Sequence, residues 1–140
     1  MLDSVLDEPR FRVHWAACLT LLRAVGHVLD KVDSKHSPAV KTAVKAAYQR
    51  WKADPEGAAI FWHFIEAERN LVLKEYETRF DLSGFDVVVE DEEGQPKTEW
   101  LGPEYYIRIT AGPFIAEDAR ELVRDAIEWW EGELQRIEAA

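Results

Sequence analysis

Cysteine is nearly absent from this chain of 140 residues, where Cys18 stands alone. A single cysteine excludes an intramolecular disulfide and any metal site built from several thiolates of one chain. Cys18 also falls on an apolar helical stripe, where it is expected to act as a small hydrophobe. Glycine is scarce too, with seven residues scattered singly, so no Gly-rich phosphate loop is present. No G-x-S-x-G elbow occurs, and the few serines fall in caps and turns, which leaves nucleophilic catalysis without a candidate. No apolar run approaches the length of a bilayer span, and the opening MLDSVLDEPRF lacks the basic and apolar regions of a signal peptide. The expectation is a soluble cytoplasmic protein with no membrane partner and no cofactor.

What is present is globular in character, with 47% apolar and 31% charged residues and six tryptophans. The length suits one domain, residues 1 to 140, around one core. The net charge of -10 marks an acidic protein and opposes nonspecific binding to RNA. That charge is unevenly placed. Residues 10 to 52 hold nine Lys and Arg against Asp30 and Asp33, a balance of +7, which leaves -17 for the remainder.

Periodicity predicts a first helix over residues 8 to 32, with Asp7 and Pro9 at its start and Phe11, Trp15, Cys18, Leu22, Val25, Leu29 and Val32 as its seam. Alanines 16, 17 and 24 and Gly26 leave room beside that seam for another helix. Ser37 and Pro38 open a second helix reaching residue 53, with Val40, Val44, Ala47 and Trp51 inward and Lys41, Lys45, Tyr48 and Lys52 on another face. Asp54 and Pro55 open a third, reaching about residue 79. Its stripes are Ile60, Phe64, Ala67 and Leu71, and beside them Trp62, Ile65, Val72 and Tyr76, an apolar arc wide enough for a central helix. Two or three short strands follow between residues 85 and 110, protected at their edges by acidic side chains. A last helix over 115 to 137 buries Leu122, Val123, Ala126, Ile127, Trp130, Leu134 and Ile137. The fold class expected is mainly α, a bundle of about four helices with a small β insertion before the last helix.

Four histidines and many carboxylates raise the question of a metal. His63 and Glu66 occur once and in the reverse of the Glu-x-x-His order that di-iron bundles use. The site conceivable across helices would pool His14, His63 and Glu66. The sharper feature is FIEAERNLVLKEY, residues 64 to 76, in which Arg69 falls on an apolar stripe. An unpaired arginine there would cost several kcal/mol, roughly, so a structural reading pairs it with Glu66, its neighbour at helical spacing.

Arg69-Asn70 followed by three residues resembles the Arg-Asn-x-x-x-His motif of the HEPN superfamily, small helical proteins that often dimerise and include metal-independent ribonucleases. The resemblance covers residues 8 to 80. In that family the arginine and histidine line a cleft at the dimer interface and act on an RNA phosphodiester, so the resemblance implies such a place for Arg69; an enzymatic site here would add Asn70, Lys74 and His63. Lys74 stands where the family has its histidine, and the other spacings reach only Glu75 and Tyr76. An imidazole exchanges protons near neutrality while an ammonium mainly supplies charge, so catalysis by that route loses its base.

The function expected is therefore that of a non-enzymatic, HEPN-like helical protein acting through protein association, as a homodimer or with another protein. Trp62, Trp100, Trp129 and Trp130 suggest interface surface. Arg69 and Glu66, with the basic face Lys41, Lys45 and Lys52, are the expected binding residues. The alternative is an RNA-binding protein or metal-independent ribonuclease with an atypical site, in which those lysines track the phosphate backbone.

Overall fold

The structure, a computed structural model, describes residues 7–140; most of the segment searched for a targeting signal lies outside them. Helix α1 spans Glu8–Val28, with Asp7 accepting from the Arg10 N–H at 3.1 Å as its cap. It runs on through a π turn, Leu29–Asp33, and a last short piece, Ser34–His36. Helix α2 spans Pro38–Ala53, capped by Ser37. Helix α3 covers residues 60–75, a composite of the π segment Ile60–Glu66, the α turn Ala67–Asn70 and the π segment Leu71–Glu75. Helix α4, Ala119–Glu138, is capped by Asp118. Mainly α with a small β insertion before the last helix is the architecture observed.

The insertion is two separate two-stranded sheets rather than one. β2 (Phe85–Glu90) and β3 (Pro96–Leu101) form an antiparallel hairpin in which Val88 faces Thr98 and Asp86 faces Trp100. β1 (Phe80–Asp81) pairs with β4 (Arg108–Ile109), so strand structure begins earlier than residue 85. The alternating segment 104 to 110 contributes only the two residues of β4.

Several boundaries differ from the periodic reading for identifiable reasons. Helix α3 ends at Glu75, since Tyr76 turns left-handed at φ 57° and its N–H closes back on the Leu71 carbonyl. The chain then brings Phe80 against Phe11 and Trp15, with ring centroids 4.8 and 5.8 Å away. Helix α4 starts at Ala119 rather than 115 because Ala116 is left-handed and Ile115 faces water. In α1 the inner line passes through Leu19 and Gly26, leaving Cys18 and Val25 at its edge. The π turn then rotates the chain so that Ser34 points inward, its hydroxyl donating to the Leu29 carbonyl at 2.7 Å, while Val32 and Asp33 face solvent. Four carbonyls on would have put a carboxylate, Asp33, on the core face; one extra residue per turn substitutes a small hydroxyl.

Three of the six tryptophans tie the helices together through their ring N–H groups. Trp130 of α4 donates to the Leu22 carbonyl of α1 at 2.8 Å, and Trp62 of α3 donates to the Trp51 carbonyl of α2 at 3.1 Å. Trp51 donates to Glu133 Oε2 of α4 at 2.9 Å. Gly26 lets this happen: a Cβ there would meet Trp130 Cη2 at 3.3 Å, so the bare backbone admits the indole. Trp130 is buried, and Trp62 and Trp129 are half-buried against the core, so the bundle absorbs three of the four rings expected as surface. Trp100 remains, 59% exposed on the hairpin.

Glu133 is the centre of this network. Its carboxylate, buried in α4, accepts from Trp51 and Arg50 on one oxygen and from Arg136 at 2.8 Å on the other. A buried carboxylate is tolerated when such donors satisfy it. Replacing Glu133 with Ala leaves the Trp51 N–H unsatisfied and opens space beneath the ring, and should cost about 3 kcal/mol of stability. Urea denaturation with both variants matched in buffer measures this; a loss below about 1 kcal/mol would mean the helices hold their places without the carboxylate.

Candidate functional site

Arg69 does not occupy the core. The inward line of α3 runs through Phe61, Phe64, Ile65, Glu68 and Leu71, and Arg69 stands one residue around the helix, half-buried, donating from Nη1 to the Asn70 side-chain oxygen at 2.9 Å. Glu66, its expected partner, is engaged by Arg23 Nε at 3.8 Å instead. His63 and Lys74 are exposed. Tyr76, assigned by spacing to an apolar stripe, lies just past the end of the helix and is 84% exposed.

The charge of α3 that does enter the core is Glu68. Glu68 sits in the middle of the Phe64 to Leu71 line, with Oε1 3.7 Å from Arg79 Nη1 and Oε2 buried without a hydrogen-bond partner among the described residues. Gly112, at φ 87°, makes room for that arginine, since a Cβ there would lie 2.7 Å from Arg79 Nη1. Burial pushes the Glu68 carboxyl above its usual range, and the Arg79 charge opposes the shift without cancelling it. The sequence carried a signal for this: Glu68 lies four residues after Phe64 and three before Leu71.

The remaining expected ligands are dispersed. His14 Nδ1 lies 3.0 Å from the Arg10 carbonyl on α1, His63 faces solvent and Glu66 meets Arg23. Among the described residues no group of three His, Cys, Asp or Glu side chains stands close enough to hold an ion, so His14, His63 and Glu66 do not form one site. Cys18 is half-buried, and burial raises its thiol above the ordinary value, as suits a packing residue.

The lysines are brought together with α1. Lys41 and Lys45, one turn apart on α2, line a cavity of about 440 Å³ between α2 and α1, together with Arg23, His27, Asp30 and Lys31. Its floor is apolar: Val44, Trp51 and Phe61 are buried beneath it. Arg23 lies over the Phe61 ring at 5.6 Å, and Lys31 holds Asp30 at 2.7 Å. The Asp30 carboxyl is depressed, first by that Lys31 hydrogen bond and then by the charges of Lys31, His27 and Lys41. Lys52, the third expected lysine, instead covers the Tyr48 ring at 4.6 Å.

On its other side α1 presents Val13, Leu21, Val28 and Val32 to solvent, at 68, 66, 44 and 45% exposure, with half-buried Ala17 and Ala24 between them. Steps of four, four, three, four and four make this one continuous stripe. Helix α1 is thus apolar well beyond the face it packs in the core, and that further part is uncovered. No described helix is long and apolar enough to cross a membrane.

Comparison of the chain with protein-family models, with curated proteins and with solved structures gave no match. Geometry therefore carries the functional reading.

Two expectations follow from α3. A carboxyl whose native pKa is raised binds a proton more tightly folded than unfolded, so its contribution to stability is greatest in acid and is lost as pH rises through the native value. Glu68→Gln should match the wild type in urea midpoint at about pH 4.5 and exceed it at about pH 8; a difference that does not change with pH would refute the assignment. Arg69→Ala should cost less than about 1 kcal/mol and Arg79→Ala more, because only the latter leaves a buried carboxylate without its cation. Matched denaturation curves would separate them.

Proposed function

We propose that this is a non-enzymatic helical protein that works by association, pairing with a second copy of itself. The observation that carries the reading is the uncovered stripe on α1: four large aliphatic side chains in register, on a helix whose opposite face already fills the core. A surface of this kind is the usual mark of an interaction site.

Charge favours a second copy as the occupant. The stripe lies in the basic half of the chain, with Arg10 three residues before its first valine and Lys35 three after its last. The β2–β3 hairpin offers the complement, since Asp86, Val88 and Glu90 share one face with Thr98 and Trp100. Val88 is 75% exposed and Trp100 59%, giving an apolar strip edged by carboxylates. Trp100 is steadied for the purpose by a 3.3 Å bond to the Ser83 carbonyl. A two-fold arrangement lets each hairpin meet the α1 of the other chain, so both contacts form at once and the pair closes.

The HEPN-like reading of the core belongs to this proposal and rests on the Arg69-Asn70 pair in its helical hairpin. The ribonuclease alternative has less support, since Arg69, Asn70 and Lys74 do not line the basic cavity that holds Lys41 and Lys45. Cytoplasmic location is part of the same proposal.

Light scattering on the full chain at roughly tens of micromolar should return twice the 16.1 kDa of one chain. Leu21→Glu, and separately Asp86→Lys with Glu90→Lys, should each shift the protein to monomer, and salt at about 0.5 M should weaken the pair. A strict monomer in the wild type would overturn the reading. So would a dimer indifferent to both variants.

A further inference from the structure

We propose that the cavity between α1 and α2 binds a small phosphomonoester carrying a planar ring. This goes beyond the association described above and rests on a different side of α1, the one bearing Arg23, Gly26, His27 and Asp30 rather than Val13, Leu21 and Val28.

The lining has two chemically distinct ends. Near the connection between the helices stand Lys31, Lys41 and Lys45, with Asp30 held among them by Lys31. Farther along the hairpin the wall changes to Tyr48, Trp51 and Phe61, with the bare backbone of Gly26 opposite and Arg23 lying over the Phe61 ring. One end suits a multiply charged oxyanion, which lysine ammoniums bind as point charges. The other offers a ring the exposed edge of Tyr48 and the Arg23 guanidinium, above an apolar floor of buried Trp51 and Phe61. The volume, about 440 Å³, falls among small-ligand pockets rather than extended grooves.

The charge balance speaks against a merely solvated basic surface. Of the cations that border the recess, Lys31 meets Asp30 and Arg23 meets Glu66 of α3, which leaves Lys41 and Lys45 without an ion partner among the described residues beside His27, on a chain whose net charge is -10. Concentrating cations around a concavity with aromatic walls costs mutual repulsion, and an anion seated there relieves it. The floor is also preformed: Trp51 is fixed from behind by its bond to Glu133, so the ring seat does not have to be organised on binding.

Isothermal titration of the full chain with AMP, adenosine and inorganic phosphate separates the two ends. AMP should bind at least about tenfold more tightly than either fragment. Lys41→Glu with Lys45→Glu, both exposed on α2 and checked for folding by circular dichroism, should weaken AMP by about tenfold or more. Tyr48→Ala should weaken AMP while leaving phosphate unchanged. Leu21→Glu should leave AMP binding intact, so that failure of the association and failure of this site are told apart. AMP binding no tighter than phosphate would overturn the proposal, as would indifference to the lysine reversals. Binding of an RNA oligonucleotide without binding of AMP would do the same and point to a different class of ligand.

Discussion

Burying an indole removes its N–H from water, and the group must find an acceptor or cost about 1–3 kcal/mol. In this bundle three tryptophans meet that requirement across helices, while the N–H of Trp15, buried on α1, has no partner among the described residues. Trp130 finds its acceptor on α1, Trp62 finds it on α2, and Trp51 finds it on α4. Each bond is short and directional and crosses from one helix to another. Apolar packing alone would let ridges slide by a residue or rotate through many near-equal arrangements; three indole bonds to specified oxygens do not. Glu133 carries the heaviest share, because its carboxylate must itself be satisfied and draws Arg50, Trp51 and Arg136 toward one point.

The same network shapes the surface that can meet a ligand. Trp51 is bonded on one side to Glu133 and on the other floors the α1–α2 cavity, next to Phe61, whose centroid is 5.1 Å away. The core and the cavity therefore share a wall. A change that loosened the Glu133 bonds would be felt in the recess before it was felt in the hairpin, which has little packing against the helices. Arg23 adds a second link, since it meets Glu66 of α3 while lying over Phe61.

Much of this architecture was legible from residue spacing. Four amphipathic helices, their caps at Asp7 and Ser37, and the small strands before the last helix all follow from local pattern and turn chemistry, which neighbours in sequence settle. What was not legible depends on differences of one residue, about 100° around the axis, that spacing at a 3.6-residue period does not resolve. The π segments of α3 and the π turn of α1 shift which residue meets the core, so Ser34 replaces Asp33 and Val32 turns outward. On α3 the apolar spacing points Arg69 inward, whereas the buried charge is its neighbour Glu68, one position or about 100° around the helix. The tryptophans misled for a related reason. Counting rings suggests surplus surface, but a ring that can donate to a carbonyl across the bundle is cheaper to bury than its size implies. The cavity was half visible: Lys41 and Lys45 were grouped by spacing, while their partners on α1 required the helices to be placed.

Helix α1 takes part in the core, the cavity and the exposed stripe at once. One face packs in the core, a second borders the cavity, and a third stays apolar in water, and the π turn at Leu29–Asp33 divides them. Along a regular helix Leu29 and Asp33 would share the inner face, so the charge would be buried or the packing of Leu29 lost. The extra residue in that turn keeps Leu29 in the core, sends Asp30 and Lys31 to the cavity rim, and adds Val32 to the exposed stripe. A wide turn is rare because its hydrogen bonds and packing are poorer than those of an α turn. Here it resolves a conflict between a buried leucine and a charge four residues on. Straightening the turn would restore regular helix, bring Asp33 inward, and pull apart both the basic rim and the outer stripe.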